Sequence, residues 1–225
     1  MKRLLLATLS LLTVSCSRAP TFNVKDFGAK GDGVSDDYDA MQAAATALCK
    51  SPGATLVFPK GVYRINRHRI TGGPKPNVVQ NIRYLGCNGV TILGNGSKVD
   101  VKGKFRRTAD YSEGTNTFSY STGVIPFEMI NSSRFRIQGF ELAGNVDQMS
   151  RDANVVEGSN AGILTTNCKD YSIENVTVHD FSTDGITLGG NSTLADQRVH
   201  LKNVTSTGNA RNGLSVIQVR DGMIV

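Results

Sequence analysis

A repeat of about 23 residues constrains this 225-residue chain more than any other feature. Gly162-Ile-Leu-Thr, Gly185-Ile-Thr-Leu and Gly213-Leu-Ser-Val open equivalent units; Gly162 to Gly185 is 23 residues and Gly185 to Gly213 is 28. A second register agrees, because IENVTV (173–178) and LKNVTS (201–206) are also 28 apart, which superposes Asn175 on Asn203, Val176 on Val204 and Thr177 on Thr205. Earlier, PFEMINSSRFRI (126–137) and GILTTNCKDYSI (162–173) both place Asn six residues before a closing Ile and an aromatic two before it. Short strands with Asn and Gly at the corners, repeated at this length, fit a parallel β-helix, in which each coil lies about 4.8 Å above the last. The pattern predicts Ile163, Ile186 and Leu214 stacked inside and Thr177 and Thr187 facing out. The LxxLxLxxN signature of a leucine-rich repeat is missing.

Composition agrees: 24 glycines, no tryptophan and 7% aromatics suit many turns better than a helical bundle. The length supports one domain with a sizeable core. The formal charge of +6 is partly in the leader and partly in Lys98, Lys102, Lys104, Arg106 and Arg107. Such a cluster attracts polyanions in general. No helix-turn-helix, zinc-finger or aromatic RNA-binding signature accompanies it, so nucleic acid is not an expected partner.

Residues 1–17 read as an export signal, with a basic start, an apolar run from Leu4 to Leu12 and small residues around Cys16. TVSC looks like a lipoprotein processing site, although Thr13 stands where an aliphatic residue is usual. Lipidation of Cys16 and ordinary cleavage both stay open, and a lipid there is the one membrane attachment expected. The reading places the mature protein in the periplasm, on the outer membrane or outside the cell. Of the remaining cysteines, a Cys49–Cys87 bridge would tie a helix end to the next strands, but the spacing is not diagnostic, and Cys168 would be left over. No Cys or His spacing suggests a metal site.

At the front, Ser35-Asp36-Asp37 reads as a helix start, and Met41, Ala44, Ala45 and Leu48 fall on one face. That helix can plug the open end of a β-helix, with TLVFP and GVYRI as the first strands. The run DFGAKGDGVSDDYDAMQAAATAL…GATLVFPKGVYRI closely resembles the N-terminal segment of the pectate-lyase-like superfamily, which includes polygalacturonases, rhamnogalacturonase- and epimerase-type proteins and phage tailspikes. The resemblance covers residues 22–225. It implies an all-β fold, a right-handed parallel β-helix with an N-terminal capping α-helix, and a polysaccharide as partner. It leaves activity open among lyase, hydrolase, epimerase and non-catalytic binder.

STDGI (182–186) resembles the Asn-Thr-Asp-Gly stretch of polygalacturonases, where the Asp is a catalytic carboxylate. Inverting hydrolysis needs a second carboxyl group nearby. The 28-residue step from Asp184 lands on Asn212, and the Gly-His-Gly motif of that family is missing, so that mechanism does not carry over. The same step puts Arg211 over Thr183. An exposed Asp184–Arg211 ion pair between coils is one reading. A catalytic surface of His179, Asp180, Asp184 and Arg211 is the other, since β-elimination from a uronate needs positive charge near the carboxylate and a base at the ring proton. If the protein is a lyase, Ca2+ is the cofactor it would use; otherwise none is expected. His179 points outward in VTVHDF, beside Asp180. The basic run ending in Arg106 and Arg107, with Tyr111 and Tyr120 in the polar loop that follows, could wall a cleft and stack on sugars.

The expected role is an exported protein that binds and cleaves an acidic, pectin-like polysaccharide by elimination or hydrolysis, epimerisation ranking below these. A non-catalytic glycan-binding adhesin or tailspike-like module is the alternative, although an export signal argues against a phage tailspike itself. Ile224 occupies the position of Leu201 and Ile173, and the sequence stops one residue later, so it reads as a fragment whose decisive acids lie beyond Val225. Segments 103–124, 144–160 and 189–197 interrupt the repeat and are expected to project from it.

Overall fold

A computed structural model describes residues 18–66, 70–71, 78–79, 81–102, 107–113, 116–121, 124–146, 161–190 and 194–225, without side chains for 70–71, 78–79 and 107–121. Residues 1–17, read above as an export signal that includes Cys16, lie outside these residues, as do Arg106 and residues 147–160 of the expected 144–160 insertion.

Each full coil contributes a short strand to one parallel sheet and a long, bent strand to another. The short strands stack in the order Arg83–Leu85, Phe127–Ile130, Ile163–Thr166, Ile186–Leu188 and Leu214–Val216. The long ones stack as Thr91–Val101, Arg136–Ala143, Lys169–His179, Asp196–Thr207 and Val219–Ile224, with Thr21–Asn23, Thr55–Val57, Asp32–Asp36 and Val62–Ile65 completing the N-terminal end. This is a right-handed parallel β-helix. The registers are those of the repeat: Ile163 pairs with Ile186 and Ile186 with Leu214, while Ile173 pairs with Leu201 and Val176 with Val204.

The corners explain the Asn and Gly spacing. Asn131 and Asn167 (φ 49° and 52°) turn the chain out of consecutive short strands, and Asn175 and Asn203 (φ 52° and 51°) bend consecutive long ones. A left-handed backbone is open mainly to Gly, Asn and Asp. The stacked amides bond to one another, Asn167 Nδ2 to Asn131 Oδ1 at 2.7 Å and Asn203 Nδ2 to Asn175 Oδ1 at 3.0 Å, so each corner is tied to the next coil.

Inside, Ile92, Ile137, Ile173 and Leu201 form one apolar column and Phe127, Ile163 and Ile186 another, all almost or completely buried. Each such side chain contributes about 1.5–3 kcal/mol relative to exposure. Thr177 is exposed as expected, but Thr187 is buried, because its hydroxyl donates to Asp184 instead of to water.

The helix Tyr38–Cys49 lies against Arg83–Leu85, Thr21–Asn23 and Thr55–Val57, the N-terminal ends of both stacks, with Met41, Ala44, Ala45 and Leu48 fully buried. It starts three residues later than Ser35 suggests. Ser35 sits in the strand Asp32–Asp36 and donates to Asp32, while Asp37 turns back to accept from Lys30 N (2.6 Å) and Gly31 N (3.2 Å). A Cys49–Cys87 disulfide (Cα–Cα 4.1 Å) fastens the last helical residue to the loop after Arg83–Leu85.

Two expected insertions depart from simple projecting loops. Arg107–Glu113 and Asn116–Ser121 form an antiparallel pair, with Tyr111 opposite Phe118, where the sequence reads as a polar loop. In 189–197, Gly190 N donates to Thr165 O (3.0 Å) and Asp196 is fully buried, so both ends of that segment belong to the stack.

Candidate functional site

Asp184 stands at the corner that feeds the strand Ile186–Leu188. The next residue is Gly because the neighbouring coil presses on it: a Cβ on Gly185 would lie 2.9 Å from Gly213 O and against Ser206 Oγ. Gly162, one coil earlier, is crowded in the same way by Gly185 O. The glycine signature of the repeat is thus a row of close backbone approaches, and it sets the acidic side chain at a fixed height.

Arg211 N donates to Thr183 O (3.1 Å), so the 28-residue step does bring Arg211 onto this coil. Its guanidinium grips Asp184 with two bonds, Nε to Oδ1 at 2.8 Å and Nη2 to Oδ2 at 2.9 Å. Asn212 N and Nδ2 donate to Oδ1 at 3.3 Å, and Thr187 Oγ1 to Oδ2 at 3.2 Å. The expectation of a surface ion pair needs correction: the Asp184 side chain is 1% exposed, whereas Arg211 is 49% exposed. The acid is sunk behind its donors and the arginine looks outward. Burial alone would raise the Asp184 pKa, but bonds from Arg211, Ser215 and Thr187 outweigh it and hold the carboxyl below its ordinary value. Asp184 is therefore ionised at neutral pH and is no general acid there. At the equivalent place on the next coil stands Asn212, so among the described residues that position supplies no second carboxylate of the kind inverting hydrolysis requires.

His179 and Asp180 form a different group at the end of the strand Lys169–His179. His179 Nδ1 lies 2.7 Å from Asp180 Oδ2, and its Nε2 lies 3.2 Å from Glu141 Oε1 on the preceding coil. Lys98 Nζ reaches the same Glu141 oxygen at 2.7 Å from one coil further. Lys98 is the first cause of a lowered Glu141 pKa, against burial, with His179 adding to it. Both imidazole nitrogens face carboxylate oxygens, so in either tautomer the lone pair is aimed at an acid rather than at open solvent. That geometry suits an electrostatic cross-link better than a general base. Glu141 was not singled out from sequence, and Lys98 only as part of a basic cluster; their joint position becomes meaningful only through the pairing of Glu141 with Lys98 and of Ala143 with His179.

The sequence also does not reveal Asp196, completely buried among neutral donors. Its carboxylate accepts from Thr165 Oγ1, Tyr171 Oη (2.7 Å), Cys168 N (2.7 Å) and Gly189 N (3.2 Å). Arg107, Tyr111 and Tyr120 lie in the antiparallel pair, where side chains are outside the described residues. Among the described residues no group of three or more His, Cys, Asp or Glu side chains is placed to hold a metal ion.

The two stacked parallel sheets and their recurring coils define a right-handed parallel β-helix of the pectate-lyase-like class. Residues 21–222 match the model of the rhamnogalacturonase A/epimerase, pectate lyase-like family, and the chain belongs to that family. Among its relatives, mannuronan C5-epimerase AlgE2 of Azotobacter vinelandii is 40% identical over 120 residues, 50% of this chain and 11% of the epimerase. Alginate lyase 7 of the same organism is 58% identical over 45 residues, 20% of this chain and 5% of the lyase. The A-module of A. vinelandii mannuronan C-5 epimerase AlgE4 superposes with a TM-score of 0.50 at 21% identity, over 90% of this chain and 55% of the module, which supports the fold. The chain thus spans a small part of the length of these two curated relatives.

Proposed function

We propose that this protein is an exported β-helix that acts on an acidic polysaccharide, a polyuronate, by chemistry that begins at the carbon next to the sugar carboxylate. The observation that carries this reading is the Asp184–Arg211 pair: a buried, ionised acid holds a half-exposed guanidinium in a fixed place at a strand entrance. A guanidinium so held can pair with a substrate carboxylate without first being ordered. Neutralising that carboxylate acidifies the adjacent ring proton. Transfer of that proton to a base, followed by loss of the 4-linked oxygen with a proton from an acid, is elimination; return of a proton to the opposite face is epimerisation. The base and the acid are groups other than Asp184, Arg211, Asn212 and Thr187. The mannuronan epimerases and the alginate lyase among the relatives favour this pair of outcomes over hydrolysis, so epimerisation ranks level with elimination here. In this mechanism Asp184 positions, Arg211 neutralises, and Asn212 and Thr187 keep the acid in place.

The test is to incubate the chain with alginate, polygalacturonate and neutral glucans. New unsaturated ends mark elimination, deuterium at C5 from heavy water marks epimerisation, and new reducing ends without unsaturation mark hydrolysis. Binding without any of these marks the adhesin alternative. Arg211→Gln should remove turnover on polyuronate. Because it strands the buried Asp184 carboxylate it also lowers stability, so turnover is compared at a temperature where circular dichroism shows the variant folded. Turnover there equal to that of the unaltered chain would refute the role given to Arg211.

A further inference from the structure

A second feature lies on the outer face of the long-strand sheet. A groove of about 440 Å³ is lined by Arg134, Arg136, Asp170, Ser172, Arg198 and His200, with Phe135 and Tyr171 between them. That size is in the range of small-molecule sites. Three of its polar residues are arginines and one is an acid.

The register orders these charges. Arg136 pairs with Ser172 and Ser172 with His200, so Arg136 and His200 stand two coils apart in one outward row. Arg134, Asp170 and Arg198 follow the bridged residues Ser133, Lys169 and Gln197, and form a second row at the adjacent corner. The two basic pairs, Arg134 with Arg136 and Arg198 with His200, are therefore separated by two strand spacings, roughly 10 Å. Arg136, Arg198, Arg134 and His200 are all exposed.

The corner row carries a further sign of selection for charge. The whole corner row is left-handed, Gly89 (φ 69°), Arg134 (52°), Asp170 (56°), Arg198 (51°) and Asp221 (61°), and in two of its coils it carries an arginine instead of Gly, Asn or Asp. Arginine pays conformational energy there that glycine or asparagine would not, and such outliers persist where the side chain is used. Between them Asp170 accepts from Arg198 Nε and, at 2.8 Å, from Arg198 Nη2. Asp170 thus stands where an anionic ligand group would bind, while Arg136 is held to Glu174 at 3.3 Å.

We infer that this groove is a second binding site for an anionic glycan, separate from Asp184 and Arg211, in which each basic pair takes a carboxylate and the chain runs along the coil axis. A glycan whose sugars advance by about one coil spacing would bring carboxylates on alternate sugars to Arg134–Arg136 and Arg198–His200, with Ser172 beneath the intervening sugar and Asp170 giving up Arg198 to the ligand. The site would hold a long polymer while its reacting sugar lies at the other face. It rests on the polyuronate reading above.

Hydrogen-exchange footprinting of the full chain with oligouronates, and with the methyl-esterified forms as neutral probes, tests this. Protection is expected at 134–136, 170–172 and 198–200, lost on esterification. Arg134→Gln/Arg198→Gln should weaken groove binding at least tenfold, while Lys50→Gln/Lys60→Gln, with the same charge change elsewhere, should not. Asp170→Asn is the decisive variant: removing the competing carboxylate should tighten binding several-fold, whereas a purely structural charge ladder predicts no gain. Arg211→Gln separates the two proposals, because groove protection must survive it. Protection confined to 183–187 and 211–215 overturns the groove and leaves the polyuronate reading standing; no protection anywhere overturns both. Equal groove protection by RNA or by anionic vesicles overturns the assignment to a glycan.

Discussion

Replacing Asp184 by Asn changes one atom and tests the placement of that side chain. The carboxylate is 1% exposed and accepts from Arg211, Asn212 and Thr187. An amide keeps one acceptor oxygen and turns its NH2 toward donors on the other side. Hydrogen bonds to charged groups contribute about 1.5–3 kcal/mol each, and breaking a buried pair costs about 3–5 kcal/mol. Arg211 is half exposed and recovers hydration when its partner is neutralised, which discounts the larger figure. The net expectation is a loss of about 2 kcal/mol at pH 7, a drop of roughly 4–8 °C in melting temperature for a chain of this size. The sign of the pH dependence follows from the lowered Asp184 pKa. Its stabilisation is fully present above the unfolded value, near 4, and disappears as pH falls through the lower folded value. Circular-dichroism melts of both proteins at pH 7 and at progressively lower pH should therefore show the gap closing in acid. A gap below about 0.5 kcal/mol at neutral pH, the range of an exposed pair, or one that widens in acid, would refute the burial argument.

Asp196→Leu should destabilise by about 2–4 kcal/mol, since Thr165, Tyr171 and two backbone N–H groups lose their acceptor inside the β-helix; urea titration measures it. Burial pushes the Cys168 thiol up to about 12, so it should resist alkylation at pH 8 in the folded chain and react promptly in denaturant, as mass spectrometry would reveal. Reducing Cys49–Cys87, 38 residues apart, should cost about 4 kcal/mol by loop-closure entropy, and an unchanged melt after reduction would contradict it.

The sequence alone determined the stacking. A β-helix adds the same vertical step at every turn, so equivalent residues must recur, and Gly162, Gly185 and Gly213 or Asn175 and Asn203 can be aligned without coordinates. The cap helix was legible from Met41, Ala44, Ala45 and Leu48, although its start was not, because Ser35 and Asp37 spend their side chains on local bonds with Asp32, Lys30 and Gly31. The same arithmetic brought Arg211 and Asn212 to Asp184. It could not say how deep the acid lies. Depth depends on which hydroxyls and amides close over it, and the covering of Thr187 where it bonds Asp184 is a tertiary event. Asp196 was hidden for the same reason: nothing in LADQRV distinguishes a solvated acid from one enclosed by Thr165 and Tyr171. Arg134, Arg136, Arg198 and His200 are scattered in sequence and become two basic pairs only when two coils separate them. Alternation along one strand decides which face a residue takes, but charges on different coils meet through the lateral pairing of strands, which only the folded stack supplies.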